Sequence, residues 1–252
     1  MIETEWLIFV GTNERANPPM PLAHLEKDME RLSRAADSMV VQEFRLRSYW
    51  RRAASMMRAQ WASSPTWTAG VLAPVAGGQP CFWRRDIFKR VRDGAWLMHG
   101  GIRKISEDRY MRRAFLEHLD TGLRVWKLNG HCVVGADEEG DGPIRQDILY
   151  TQDLPALDRA LERSLRGGWP LIGHIDANIH RGSAAYDDLM AIFDKHGARV
   201  IGEHGVEYLF VVDGRKARVI VGSHRMVKPR HRGGKLWTDH EARVLRYKLR
   251  QM

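Results

Sequence analysis

An α/β fold with helices outside the sheets is what this sequence predicts, and three observations predict it. Short continuous apolar runs alternate, in both halves of the chain, with stretches whose apolar residues recur every three or four positions. No internal repeat or low-complexity tract interrupts that order, and no Pro/Ser-rich linker divides the 252 residues, so a single domain is expected. Hydrophobic residues make up 44% of the chain, enough at this length for a sizeable core.

Residues 6–11 (Trp-Leu-Ile-Phe-Val-Gly) form an unbroken apolar run of the kind found in strands buried on both faces, and they deliver Thr12 and Asn13 to the strand end. Leu22, Leu25, Met29, Leu32 and Ala36 recur at steps of three and four, which makes 21–36 an amphipathic helix. Residues 38–43 are the next strand. Parallel strands joined by a helix place their carboxyl ends on one side of a sheet, so Asn13 and Glu43 should be neighbours. Residues 44–61 carry Arg45, Arg47, Arg51, Arg52 and Arg58 with no acid and read as a basic helix, for which a solvated face is the commoner explanation.

Residues 66–74, 79–84 and 91–98 are rich in strand formers and are broken by Gly77-Gly78 and Asp93-Gly94, the pattern of antiparallel strands and hairpins. Residues 103–113 are a second basic patch. The strand expected over 123–134 carries Asn129 and His131, two apart and therefore on one face. The acidic, Gly-rich stretch 135–142 reads as solvated surface, because its spacing fits no calcium loop. Asp153 is expected to cap a helix with Pro155 in its first turn and Leu154, Leu157, Leu161 and Leu165 on one face.

Residues 169–175 then form a buried strand that runs into a polar tip, where Asp176 and Asn178 point the same way. Taken alone, a strand end with an Asx-turn accounts for that tip. Ser183 begins a helix with Tyr186, Leu189 and Phe193 inward, and 198–201 and 206–213 are strands. In the latter, Val206, Tyr208, Phe210 and Val212 share one face and Glu207 lies on the other with Leu209 and Val211. An unpaired buried carboxylate is costly, so Glu207 should meet a partner such as a histidine or sit at a wet cleft. Residues 215–235 hold eight Lys or Arg and no acid, read as a strand and an exposed loop, and 242–249 form a closing strand.

With 40 Lys+Arg against 31 Asp+Glu, the net charge of +9 and pI near 9.8 favour a polyanionic partner, of which nucleic acid is the commonest. Cys81 and Cys132 make no disulfide framework, which suits a reducing compartment. No apolar run approaches the roughly 20 residues of a membrane span, and the start Met1-Ile-Glu-Thr-Glu lacks the basic opening of a signal peptide. A soluble, cytoplasmic, monomeric protein with no membrane partner is expected.

The polar residues at strand ends and on strand faces form an ordered set: Asn13, Gln42-Glu43, Asn129-Gly130-His131, Ile175-Asp176-Ala177-Asn178, Glu207-Tyr208-Leu209-Phe210 and Thr238-Asp239-His240. In order and type the set resembles the endonuclease/exonuclease/phosphatase superfamily, the deoxyribonuclease I-like fold, over residues 6–249. Its motifs are Asn, Gln-Glu, Asn-x-His, Gly-Asp-x-Asn, Asp-Tyr and Ser-Asp-His. Each is weak alone; the ordered set is specific. Ile175, Glu207 and Thr238 depart from the usual Gly, Asp and Ser, and the first removes a residue that tolerates backbone angles closed to Ile.

The resemblance implies a four-layer α/β/β/α sandwich of two mixed β-sheets flanked by helices, with a site at one end of the sheets that hydrolyses phosphoesters with metal assistance. Asn13, Glu43 and Asp239 would form an oxygen-rich site for Mg²⁺ or Mn²⁺. Asp176 would orient or deprotonate the attacking water and Asn178 would hold a phosphate oxygen. His240, held by Glu207, and His131 would act as donors to the phosphate or leaving oxygen. Asn129, with Arg45 and Arg225 from the basic segments, is expected on the substrate.

A zinc site from His174, His180 and Cys132 fits no standard spacing. Most of the tryptophans are core residues by default, while Trp50 could stack on a base. The expectation is therefore a Mg²⁺-dependent nuclease, with DNA ahead of RNA, contacted through segments 45–58, 84–92 and 215–235. The alternatives are a phosphatase acting on a small or lipid phosphoester and a nucleic-acid-binding relative without catalysis.

Overall fold

The computed structural model describes residues 1–13, 30–42, 61–63, 81–99, 109–133, 142–228 and 241–252. Their strands form two six-stranded sheets. The first has the order β11 (Ala217–Val227), β12 (Ala242–Gln251), β1 (Leu7–Asn13), β2 (Ser38–Gln42), β4 (Cys81–Arg84), β3 (Trp61–Ser63). The second has the order β5 (Phe88–His99), β6 (Arg109–His118), β7 (Arg124–His131), β8 (Leu171–Asp176), β10 (Glu207–Val212), β9 (Ala198–His204). Both are mixed, with β1 parallel to β2 and β7 parallel to β8. Helix α1 (Gly142–Ile148), a π turn (Leu149–Asp153), α2 (Leu154–Leu165) and α3 (Ala184–Lys195) follow in the second half of the chain, and residues 30–35 are helical as well. Among the described residues no helix is long and apolar enough to cross a membrane.

Period-two alternation sorts the core into two clusters. Leu209 and Val211 of β10 join Leu7, Phe9, Val40 and Leu245 between the sheets. Tyr208, Phe210 and Val212 of the same strand pack instead with Leu157, Leu161, Leu189 and Phe193 beneath α2 and α3, as the alternation along 206–213 predicts. Phe193 and Phe210 lie 4.6 Å apart, and burial of each such side chain contributes about 1.5–3 kcal/mol. Gly173 makes this packing possible: a Cβ there would lie 2.2 Å from Phe210 Cζ. Ser183 caps α3, its side chain accepting from Tyr186 N.

Several expectations are corrected. Asp153 does not start a helix: it is itself helical, its side chain makes no cap bond, and the helical path runs back through the π turn to Gly142. Its carboxylate is drawn inward by better donors, His99 Nδ1 at 2.6 Å and Val133 N at 2.7 Å. Asp93-Gly94 does not break a strand, because β6 offers β5 a continuous ladder in which Gly94 pairs with Arg113. Residues 109–113, read as part of a basic patch, lie in β6, and Arg113 is buried with its guanidinium 4.6 Å from the Trp126 ring centroid. Burial lowers the Arg113 pKa to about 10. The strand expected over 66–74, the basic helix over 44–61, the loop 135–141 and most of the helix over 21–36 lie outside the described residues.

Lys127 is a cation between the sheets. Its Nζ donates to Tyr247 Oη at 2.7 Å and lies 4.3 Å from the Tyr247 ring centroid and 4.9 Å from that of Phe9. Burial holds its pKa well below the ordinary value and outweighs the opposing charge of Asp37. Between that depressed value and the ordinary lysine pKa the unfolded chain binds more protons than the folded one, so stability rises with pH across the window and is lost as pH falls. Lys127→Met is expected to flatten that rise and to lift Tm at neutral pH by about 2–4 °C. Thermal melts from pH 7 to 10 check this, and parallel pH profiles for the two proteins would count against it.

Candidate active site

Strand register brings the described members of the predicted set to one end of the two sheets. Parallel pairing sets Asn13 opposite Gln42, so Glu43 follows directly from that strand end. Strand β12 runs antiparallel to β1 with Arg243 opposite Gly11. β12 therefore begins where β1 ends. In the second sheet Asp176 is paired with His131 on one side and with Glu207 on the other. Bonds across the sheets close this end: Gln42 Nε2 donates to Gly130 O at 2.8 Å, Asn129 Nδ2 donates to Val41 O at 2.8 Å, and Arg243 Nη2 lies 3.3 Å from Glu207 Oε2. The side chain of Asn13, and all of Glu43, Arg45, Asp239 and His240, lie outside the described residues.

The described centre is the trio His131, Asp176 and Asn178. His131 Nε2 faces Asp176 Oδ2 at 3.5 Å, with both side chains nearly fully buried. His131 Nδ1 lies 2.8 Å from Cys132 O, so Nδ1 carries a proton and donates, leaving Nε2 as the atom that meets the carboxylate. Asn178 has φ 52°, the one non-glycine positive φ among the described residues. Asparagine tolerates this left-handed turn better than most residues, and such outliers cluster at functional sites. Its N–H donates to Asp176 Oδ1 at 3.3 Å in the Asx-turn that the sequence allows, and its Nδ2 donates to Cys132 O at 3.2 Å.

The Cys132 carbonyl thus orients both His131 and Asn178, and Asp153 fixes the next peptide through Val133 N. Asp153 is a positioning residue that the sequence reading missed; a buried helix-start acid and a cap look alike until the partners are known. The Cys132 thiol is pushed well up by burial, with Asp153 and Asp176 adding to the shift. His174 is fully buried and His180 is exposed, so the two do not converge with Cys132 on one zinc ion.

Other expectations change with their surroundings. Glu207 meets the cation Arg243, and its expected pairing with His240 lies outside the described residues. Asn129, expected on the substrate, is 0% exposed, and its Nδ2 bond to Val41 O makes it a brace between the sheets. Ile175, in place of the family's glycine, is buried and leaves the turn intact. It fits because its neighbour is Gly130, where a Cβ would lie 3.0 Å from Ile175 Cγ2. His174 fills the space left by Gly11, where a Cβ would lie 2.5 Å from its Cγ.

Arg225 is exposed on edge strand β11, whose last residue, Val227, pairs with Ala242 at the site end. The basic segment 84–92 is not at this end. Its turn leaves β4 beside the start of β2, where Trp83 pairs with Ser38, and three of its five cations meet acids: Arg84 with Asp37 and Asp86, Lys89 with Glu117, Arg90 with Asp93. Among the described residues no group of three or more His, Cys, Asp or Glu could hold a metal ion, and two of the three expected ligands lie outside them.

No family model matches the sequence, and no curated protein does. Solved structures do resemble it. An endonuclease/exonuclease/phosphatase from Bacteroides vulgatus superposes with TM-score 0.72 at 14% identity, covering 98% of this chain and 100% of the other. TDP2 from D. rerio complexed with single-strand DNA product gives TM-score 0.73 at 10% identity over 97% and 99%. A mannosyl-6-phosphatase from Bacteroides thetaiotaomicron gives 0.68 at 13% over 98% and 99%. The fold is the two-sheet α/β sandwich that these structures share, the architecture the ordered motifs imply.

Proposed function

We propose that this chain is a divalent-metal-dependent phosphoesterase whose main substrate is nucleic acid. The observation that carries the reading is the contact of His131 Nε2 with Asp176 Oδ2 at 3.5 Å, at the sheet end where Asn13 emerges. Asp176 accepts the proton of the attacking water, and His131, when it carries a proton on Nε2 as well as Nδ1, donates from Nε2 to a phosphate oxygen or the leaving oxygen. Asn178 has two amide hydrogens, and with one on Cys132 O the second is available to a phosphate oxygen. His240 would add a second imidazole, and Arg243 neutralises Glu207.

Asn13, Glu43 and Asp239 would hold the metal. Their donors are all oxygen, the set that suits Mg²⁺ or Mn²⁺ and not zinc, and the pairing of Asn13 with Gln42 supports their meeting. When bound, such an ion neutralises phosphate charge and stabilises the charge that develops in the reaction. The net charge of +9 and the exposed Arg225 near the site end support a polyanionic substrate, with DNA ahead of RNA. The resemblance to D. rerio TDP2, crystallised with single-strand DNA product, supports the same reading.

The second reading, a phosphatase on a small phosphoester, draws on the resemblance to the mannosyl-6-phosphatase and on the pairing of the 84–92 cations away from the site. A gel assay on labelled single- and double-stranded DNA and RNA, with Mg²⁺ and with chelator, separates the two. Metal-dependent shortening that chelator abolishes is the expected result. No cleavage of any nucleic acid alongside turnover of a sugar phosphate would move the assignment to the phosphatase, and no turnover of any phosphoester would end it.

A further inference from the structure

A cleft of about 190 Å³ opens beside Asn178. Its walls include Leu149, Tyr150 and Gln146 from the α1 and π-turn segment and Ile179 and His180 from the chain that follows Asn178. Leu149 is buried and gives the cleft an apolar wall, whereas Tyr150 is 40% exposed and offers a ring face. Consecutive residues reach the same cleft because they lie on a π turn, a local widening of the helix that occurs disproportionately at functional sites.

We propose that this cleft seats a single nucleobase, the one joined through its sugar to the phosphate held by Asn178. The proposal rests on the phosphoesterase reading of the site and names its substrate class as nucleoside-bearing. The volume is below the roughly 300–1,000 Å³ of pockets that hold whole drug-sized ligands, which suits one flat ring system. Tyr150 supplies a stacking face, and Leu149 and Ile179 supply apolar contact on the inner side. Gln146 presents an amide donor and acceptor side by side, the pattern that reads the edge of a base, and the His180 imidazole adds a second polar contact. A bare sugar phosphate would leave the aromatic and apolar surfaces without a partner. Since Asn178 both lines the cleft and belongs to the catalytic trio, base and phosphate subsites are contiguous.

The test compares equilibrium binding of adenosine 5′-monophosphate and ribose 5-phosphate by isothermal titration calorimetry. The full-length protein is expected to prefer the nucleotide by about tenfold, within the range of one base-aromatic stack. Tyr150→Ala should abolish that preference and Tyr150→Phe should keep it. Both changes are at a partly exposed side chain, so the fold is not at stake. Equal binding of the two probes to the unaltered protein, including no binding of either, overturns the proposal, as does a Tyr150→Ala protein that retains the preference. Turnover of bis(4-nitrophenyl) phosphate, which lacks a base, reads the phosphoesterase separately. Turnover without a nucleotide preference defeats the subsite alone, and a preference without turnover defeats the catalytic reading while the subsite stands.

Discussion

Asp176→Asn is expected to lower kcat on a phosphodiester by about 10²–10⁴-fold, the span that a positioned acid or base contributes. The substitution is nearly isosteric, and the new amide oxygen can still accept the 3.3 Å bond from Asn178 N. The Asx-turn and the fold should therefore survive. What is lost is the negative charge and the proton acceptor facing His131 Nε2 at 3.5 Å. Steady-state kinetics with a thermal melt of the same protein check this. A kcat within a few-fold of the unaltered enzyme at unchanged Tm would remove Asp176 from the mechanism.

Asp153→Ala is expected to cost about 3–5 kcal/mol, because it strands two buried donors at about 1–3 kcal/mol each. The carboxylate is fully buried and receives His99 Nδ1 at 2.6 Å and Val133 N at 2.7 Å. Asp153→Asn keeps an acceptor for that amide and should cost less, about 1–3 kcal/mol. Because Val133 follows the carbonyl that orients His131 and Asn178, the Asn variant should also lose kcat at temperatures where it is fully folded. Urea unfolding and kinetics on both variants decide the matter; a change within about 0.5 kcal/mol for Asp153→Ala would be that of an ordinary surface site.

The strands that build the site were readable because their signals are local. A continuous apolar run marks a strand buried on both faces, and β1, β2 and β8 lie where such runs are found. Alternation along 206–213 separated Leu209 and Val211 from Tyr208, Phe210 and Val212 before any packing was known. The cap at Ser183 was legible because its hydrogen bond reaches only to Tyr186 N. Asp153 failed by the same logic: acid followed by Pro155 is a sound cap signal, and it was overridden by donors on β5 and after β7, far away in sequence.

The sequence by itself determined the order of the elements, the polar residues carried to strand ends, and the resemblance of those residues to a known set of phosphoesterase motifs. Only the tertiary structure decided which partners they meet. It set Arg243 beside Glu207, turned Asn129 onto Val41, enclosed Lys127 among rings between the sheets, and paired three of the 84–92 cations with acids at the far end. The reason is range: propensity, periodicity and capping act over a few residues, whereas a buried charge is settled by whichever group the facing sheet brings within about 3 Å, and no local pattern encodes that choice.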